Sequence, residues 1–133
     1  MATKIRGISE VALWVHEMGA SVRFYRDVLG LTVISPPNVQ DQVVLEAGGP
    51  PSGVPQMVVL MQLPPESREF GSPRQLHHLI FEISPKDFDG EVERMKSEGQ
   101  NVRLGKHLVI PARTLLLEDP DGNEVELIAK RDW

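Results

Sequence analysis

Along SEVALWV, residues 9–15, apolar Val11, Leu13 and Val15 alternate with Glu10, Ala12 and Trp14. A period of two sends alternate side chains to opposite faces of a strand, so this run predicts a strand with one face in a core. The period then lengthens. In HEMGASVRFYRDVLG, residues 16–30, Phe24, Val28 and Leu31 recur at helical spacing, as do Tyr25 and Leu29. Glu17 or Ser21 can serve the helix start, and Gly30 stands where a C-terminal glycine belongs. LTVIS (31–35), DQVVLEA (41–47) and QMVVLMQL (56–63) predict three further strands, parted by Pro36-Pro37 and by the turn-rich GGPPSGVP (48–55).

A connector at about 64–74, containing PPESREFGSP, then breaks the pattern, and the same order begins again. LHHLIFEIS (76–84) predicts a strand. Pro85–Glu98 predicts a helix with Phe88, Val92 and Met95 on one stripe and Gly99 past its end. NVRLGKHLVI (101–110) predicts a strand interrupted at Gly105, ARTLLLED (112–119) another, DPDG a tight turn, and NEVELIAK (123–130) the last strand. Placing Glu10 on His78 lays VALWV over LIFEI, sets one helix over the other, and brings Gly30 to Gly99 after a one-residue gap. The chain therefore reads as an internal duplication within a single domain, 1–133, with module 1 at about 7–63 and module 2 at about 75–130. Each half alone leaves a sheet face open. The expected class is α+β: two βαβββ modules forming a cupped, partly closed mixed sheet with helices outside.

The two-residue period also sorts the ionisable groups. In HHLIFEI, strand alternation places His77, Leu79, Phe81 and Ile83 on one face and His78, Ile80 and Glu82 on the other. In the last strand Glu124, Glu126 and Ile128 oppose Val125, Leu127 and Ala129. Glu10, His78 and Glu126 thus lie on three strands, with Glu10 and His78 at equivalent positions of the repeat, and they converge if the halves face each other.

Composition narrows the partners. Charged residues make up 25% of the 133, the formal charge is −5, and no basic cluster offers a phosphate-backbone site, so nucleic acid is not expected. Cysteine is absent, which removes disulfides and thiolate ligands and fits a reducing cytosol. No apolar run reaches the roughly 18–20 residues that cross a bilayer, and MATKIRGISEV is not a signal peptide. The expectation is a cytoplasmic protein that does not engage a membrane.

EVALWVHEMGASVRFYRDVLGL, with Ser21, Phe24, Tyr25, Leu29 and Gly30 at the spacing S-x-x-FY-x-x-x-LG, resembles the opening of the vicinal oxygen chelate superfamily, the glyoxalase, bleomycin-resistance and extradiol-dioxygenase group. HHLIFEI is similar to its central strand, and LLLEDPDGNEVELI to its closing D-P-D-G-N-x-x-E-L hairpin. The resemblance implies paired βαβββ modules around a divalent metal and a homodimer. Carried over by position, it implies metal ligands at Glu10, His78 and Glu126, with glutamate at position 10 in place of the usual histidine. A fourth ligand used by some members falls on about Met61, which suits a hard cation poorly. One imidazole and two carboxylates make a harder set than two histidines and one carboxylate, leaning toward Mn²⁺, Mg²⁺ or Fe²⁺, with Ni²⁺, Zn²⁺ or no metal as the other cases.

Two functions follow from the resemblance. One is a divalent-metal-dependent lyase, isomerase or dioxygenase that acts on a small oxygenated substrate by Lewis-acid stabilisation of an enolate or alkoxide, with Glu10 as the base. The other is a metal-free binding protein that sequesters a small molecule, as bleomycin-resistance members do. Simpler readings stand beside each residue. His78 can cap a strand, and Glu10 can be a solvated strand end or a salt-bridge partner of His78. Glu126 is harder to set aside, because an unpartnered buried carboxylate is costly. Trp14 and Met61 are expected to line the cup. His107, placed on a strand, is a candidate substrate contact. Arg113 is another, or else a partner for Glu124. His77 is expected to face outward and His16 to lie in a loop.

Overall fold

In the computed structural model, residues 4–49, 53–68 and 76–131 are described. Two four-stranded mixed sheets form, each open and each with a helix on one face. The chain divides into two units, Met1–Ser72 and Pro73–Trp133.

In the first unit, β1 (Glu10–Val15) runs parallel to β4 (Gln56–Gln62), and β4 is flanked by antiparallel β3 (Gln42–Gly48), which carries the two-residue β2 (Thr32–Val33) at the other edge. The alternation read from SEVALWV holds: Leu13 and Val15 are buried while Glu10, Ala12 and Trp14 are exposed. Between β1 and β2 the single helix expected over 16–30 has two parts. α1 (Met18–Val22) is α-helical, and Arg23–Val28 continues as a π-helical stretch. The wider turn shows in Leu29 N–H donating to Phe24 C=O at 3.0 Å, five residues back. It leaves Phe24 and Tyr25 buried, their rings edge to face with centroids 5.1 Å apart.

Two side chains fix where α1 starts. Glu17 caps it by accepting from the N–H groups of Gly19 and Ala20. Gln62, at the end of β4, donates from Nε2 to His16 C=O at 2.8 Å and accepts the Met18 N–H at 3.2 Å. Replacing Gln62 by methionine keeps its length but strands these backbone groups. A loss of about 1–3 kcal/mol is expected, read by urea unfolding; an unchanged midpoint would mean that water satisfies them equally well.

The second unit repeats the plan. β5 (His78–Glu82) is parallel to β8 (Glu124–Lys130), which pairs antiparallel with β7 (Ala112–Glu118), and β6 (Arg103–Lys106) closes the other edge. The sheet orders β1-β4-β3-β2 and β5-β8-β7-β6 are the same in both units, so the duplication is one of topology as well as pattern. The helix begins with a 3₁₀ turn at Pro85–Asp87 and continues as α3 (Phe88–Ser97), following one short helical turn, α2 (Pro65–Arg68), within the connector. The rest of that connector, 69–74, lies outside the described residues. α3 buries Phe88, Val92 and Met95. These pack toward the sheet face that carries buried Leu115, Leu117, Val125, Leu127 and Ala129. On its outer side Arg94 bridges Glu91 at 2.6 Å and Glu98 at 3.0 Å, and both carboxylates hold the guanidinium above its ordinary pKa.

The strand expected over 101–110 is shorter than its pattern suggested. β6 ends at Lys106 because His107 closes a turn instead: its Nδ1 accepts the N–H groups of Val109 and Ile110 at 3.1 and 3.0 Å. Leu108, Val109 and Ile110 are exposed in that turn.

Candidate functional site

The DPDGN hairpin organises the chemistry-bearing end of the second unit. Asp119 is buried, and its Oδ1 accepts the N–H groups of Asp121 and Asn123 at 3.0 and 2.8 Å. Its Oδ2 accepts from Asn123 Nδ2 at 2.9 Å, which turns the Asn123 carbonyl oxygen outward to accept the Leu76 N–H at 3.0 Å. Gly122 takes φ +84° to close the turn. The motif thus ties the start of β8 to the chain just before β5. The ladder begins at once, with His78 opposite Glu124, Leu79 opposite Val125 and Ile80 opposite Glu126.

That register sets the faces. His78, Ile80, Glu124, Glu126 and Ile128 share the face opposite α3, with Leu116 of β7 beside Glu126 and Glu118 beside Glu124. Glu126 is half-buried there, and its carboxylate makes no hydrogen bond or ion pair among the described residues. It lies two residues beyond Glu124, roughly 6–7 Å along the strand.

His77 behaves differently from the alternation rule. β5 begins at His78, so His77 sits in a bend and its side chain is not sent to the far face. The two imidazoles meet edge to face, Nδ1 to Nδ1 at 2.8 Å. With Glu124 they form the one group of three ligand-type side chains, among the described residues, whose donor atoms all lie within 4.8 Å of one another. Glu124 also accepts from Arg103 at 3.0 Å. Sequence reasoning passed over both His77 and Glu124. The signal that was available is the buried Asn123 of DPDGN, which holds the backbone at Leu76 and so fixes where the strand can start.

Glu10 stands on the exposed face of β1 in the first unit, with Trp14, whose register partner on β4 is Met61. Met61 is half-buried. His107 is in the turn after β6, not on a strand, and its Nδ1 is occupied by backbone N–H groups. Arg113 pairs with Asp89 and not with Glu124, which Arg103 holds instead. The register of Arg113 puts it on the same face as Leu115 and Leu117, the side covered by α3, where it bonds Asp89 at 3.1 Å and lies 4.2 Å over the Phe88 ring. There, with Lys96, Leu104 and Lys106, it lines a groove of about 520 Å³. Among the described residues no helix is long and apolar enough to cross a membrane.

The architecture has clear relatives. A glyoxalase family protein from Bacillus anthracis superposes with a TM-score of 0.75 at 18% identity, over 98% of this chain and 100% of the other. A glyoxalase/dioxygenase from Nostoc punctiforme gives 0.71 at 23%, over 97% and 94%. Lactoylglutathione lyase from Agrobacterium tumefaciens gives 0.69 at 24%, over 94% of each chain. At such identities the likeness is one of fold. No curated protein sequence matches significantly. The profile of one family does match, over residues 7–127, from the start of the first module to the hairpin that carries Glu126. With its repeated βαβββ topology and its DPDGN-anchored strand, the chain belongs to the Glyoxalase/Bleomycin resistance protein/Dioxygenase superfamily.

Proposed function

We propose that this chain is a divalent-metal-dependent enzyme acting on a small oxygenated molecule, with His78 and Glu126 as ligands from the second unit. The observation that carries the reading is Glu126: a half-buried carboxylate on the sheet face of His78, with no partner among the described residues. A carboxylate so placed can meet a cation without giving up an existing partner. An imidazole and carboxylates are a chemically reasonable donor set for Mn²⁺, Mg²⁺, Fe²⁺, Ni²⁺ or Zn²⁺. When bound, such an ion supplies Lewis acidity, stabilising negative charge that develops on paired substrate oxygens. Glu10, carried over from the family pattern, is the proposed second carboxylate ligand and the proposed proton acceptor. Met61 at the position of a fourth ligand argues against the lactoylglutathione lyase reaction. A cytoplasmic homodimer taking a small-molecule substrate belongs to the same reading.

A Mn²⁺ titration of protein stripped with chelator tests it. One site per chain is expected. Glu126→Gln and His78→Ala should each lower affinity by at least about tenfold, since even outer-shell partners of metal ligands cost that much. Wild-type Mn²⁺ affinity in both variants would overturn the reading. Metal-free protein that purifies with a tightly held organic molecule would favour the sequestering function instead.

A further inference from the structure

We infer that His77, His78 and Glu124 form a second, exposed site for a borderline transition metal, Zn²⁺ above all, and that Arg103 competes with the metal for Glu124. The inference does not depend on the function proposed above. Two imidazoles and one carboxylate gather within 4.8 Å of one another at the DPDGN-anchored end of β5 and β8. Around a tetrahedral Zn²⁺, with bonds of about 2.0–2.2 Å, neighbouring ligand atoms stand about 3.4 Å apart. The cluster reaches that spacing by small side-chain rotations, and His77 and His78 are exposed and able to make them. Their Nδ1 atoms, 2.8 Å apart, need only move slightly away from each other.

The donor chemistry separates this set from the one built on Glu126. Imidazole nitrogens suit Zn²⁺, Cu²⁺ and Ni²⁺, whereas a site dominated by carboxylates suits Mn²⁺ and Mg²⁺. His78 belongs to both sets, so its partners decide which ion it serves. On the outer side, among the described residues, the neighbouring cation is Arg103, whose Nη2 holds Glu124 Oε1 at 3.0 Å. A metal that takes this carboxylate must displace or share that ion pair, so Arg103 should weaken binding, and its removal should strengthen it. A cluster that was merely polar surface would show no such inverse effect.

The test is made in a Glu126→Gln background, which disables the inner set and isolates the outer one. Calorimetric titration with Zn²⁺ alone should find one site per chain, and Mn²⁺ should give no comparable heat. Adding His77→Ala should lower Zn²⁺ affinity by at least about tenfold, as loss of a direct ligand must exceed the effect of losing a residue that only orients one. Adding Arg103→Ala should raise Zn²⁺ affinity about two- to fivefold, the range a surface ion pair can contribute. Circular dichroism of each variant checks that the fold is kept. Unchanged Zn²⁺ affinity with His77→Ala, or weaker binding with Arg103→Ala, would overturn the inference. Neither result bears on the Mn²⁺ titration, so the two proposals fail separately.

Discussion

Asp119→Ala should destabilise the second unit by about 3 kcal/mol, one of the largest losses expected for a polar residue here. The carboxylate is buried and accepts at least three hydrogen bonds, from the backbone of Asp121 and Asn123 and from the Asn123 side chain. Asn123 is 1% exposed, so the donors left behind are cut off from water and carry their full desolvation penalty. A second consequence is specific to this fold. Without Oδ2 to hold Nδ2, the Asn123 amide is free to turn, and the Leu76 N–H loses its acceptor. His77 and His78 then lose the anchor immediately before them, so Zn²⁺ and Mn²⁺ affinity should fall together even where the variant remains folded. Chemical unfolding gives the first effect and metal titration below the unfolding midpoint gives the second. Wild-type stability would show that the hairpin tolerates water in place of the carboxylate. Lost stability with intact metal binding would detach the hairpin from the site.

The same residues show what the sequence could disclose. Strand alternation is a reliable guide inside a ladder, and it held from Glu10 to Val15 and from Glu124 to Ala129. It fails one residue outside a ladder, which is where His77 lies. Because β5 starts at His78, the His77 side chain is not sent to the opposite face and meets His78 edge to face. The order of the strands was legible because the hydrophobic pattern is repeated, and the identical sheet orders follow from that repetition. The π-helical stretch at Arg23–Val28 was not legible, since the same apolar residues satisfy either hydrogen-bonding pattern at this length. The position of Arg113 depends on β7 register against β8, and that is set by pairing across the sheet and not by any local signal. Its true partners, Asp89 and Phe88, sit 24 and 25 positions away on α3.

Phe88→Ala should cost about 3–5 kcal/mol, the range for truncating a fully buried aromatic ring. Phe88 is 2% exposed and opens the stripe that continues through Val92 and Met95, so the cavity would lie where α3 first meets the sheet. Phe88→Leu, which refills most of the volume, should recover the larger share of that loss. The ring has a second role, because the Arg113 guanidinium lies 4.2 Å from its centre while Asp89 holds the other side. A guanidinium on a ring face contributes about 0.5–1 kcal/mol when exposed. A double-mutant cycle of Phe88→Leu with Arg113→Met should therefore show a coupling of that size, after each single loss is subtracted. The cycle separates packing from the cation–π contact, which the single truncation cannot do. It also separates Arg113 from ligand binding. If the arginine serves mainly to clamp α3 onto β7, the cycle shows coupling and Mn²⁺ affinity is unchanged in Arg113→Met. A null cycle with altered Mn²⁺ affinity would instead support Arg113 as a ligand contact.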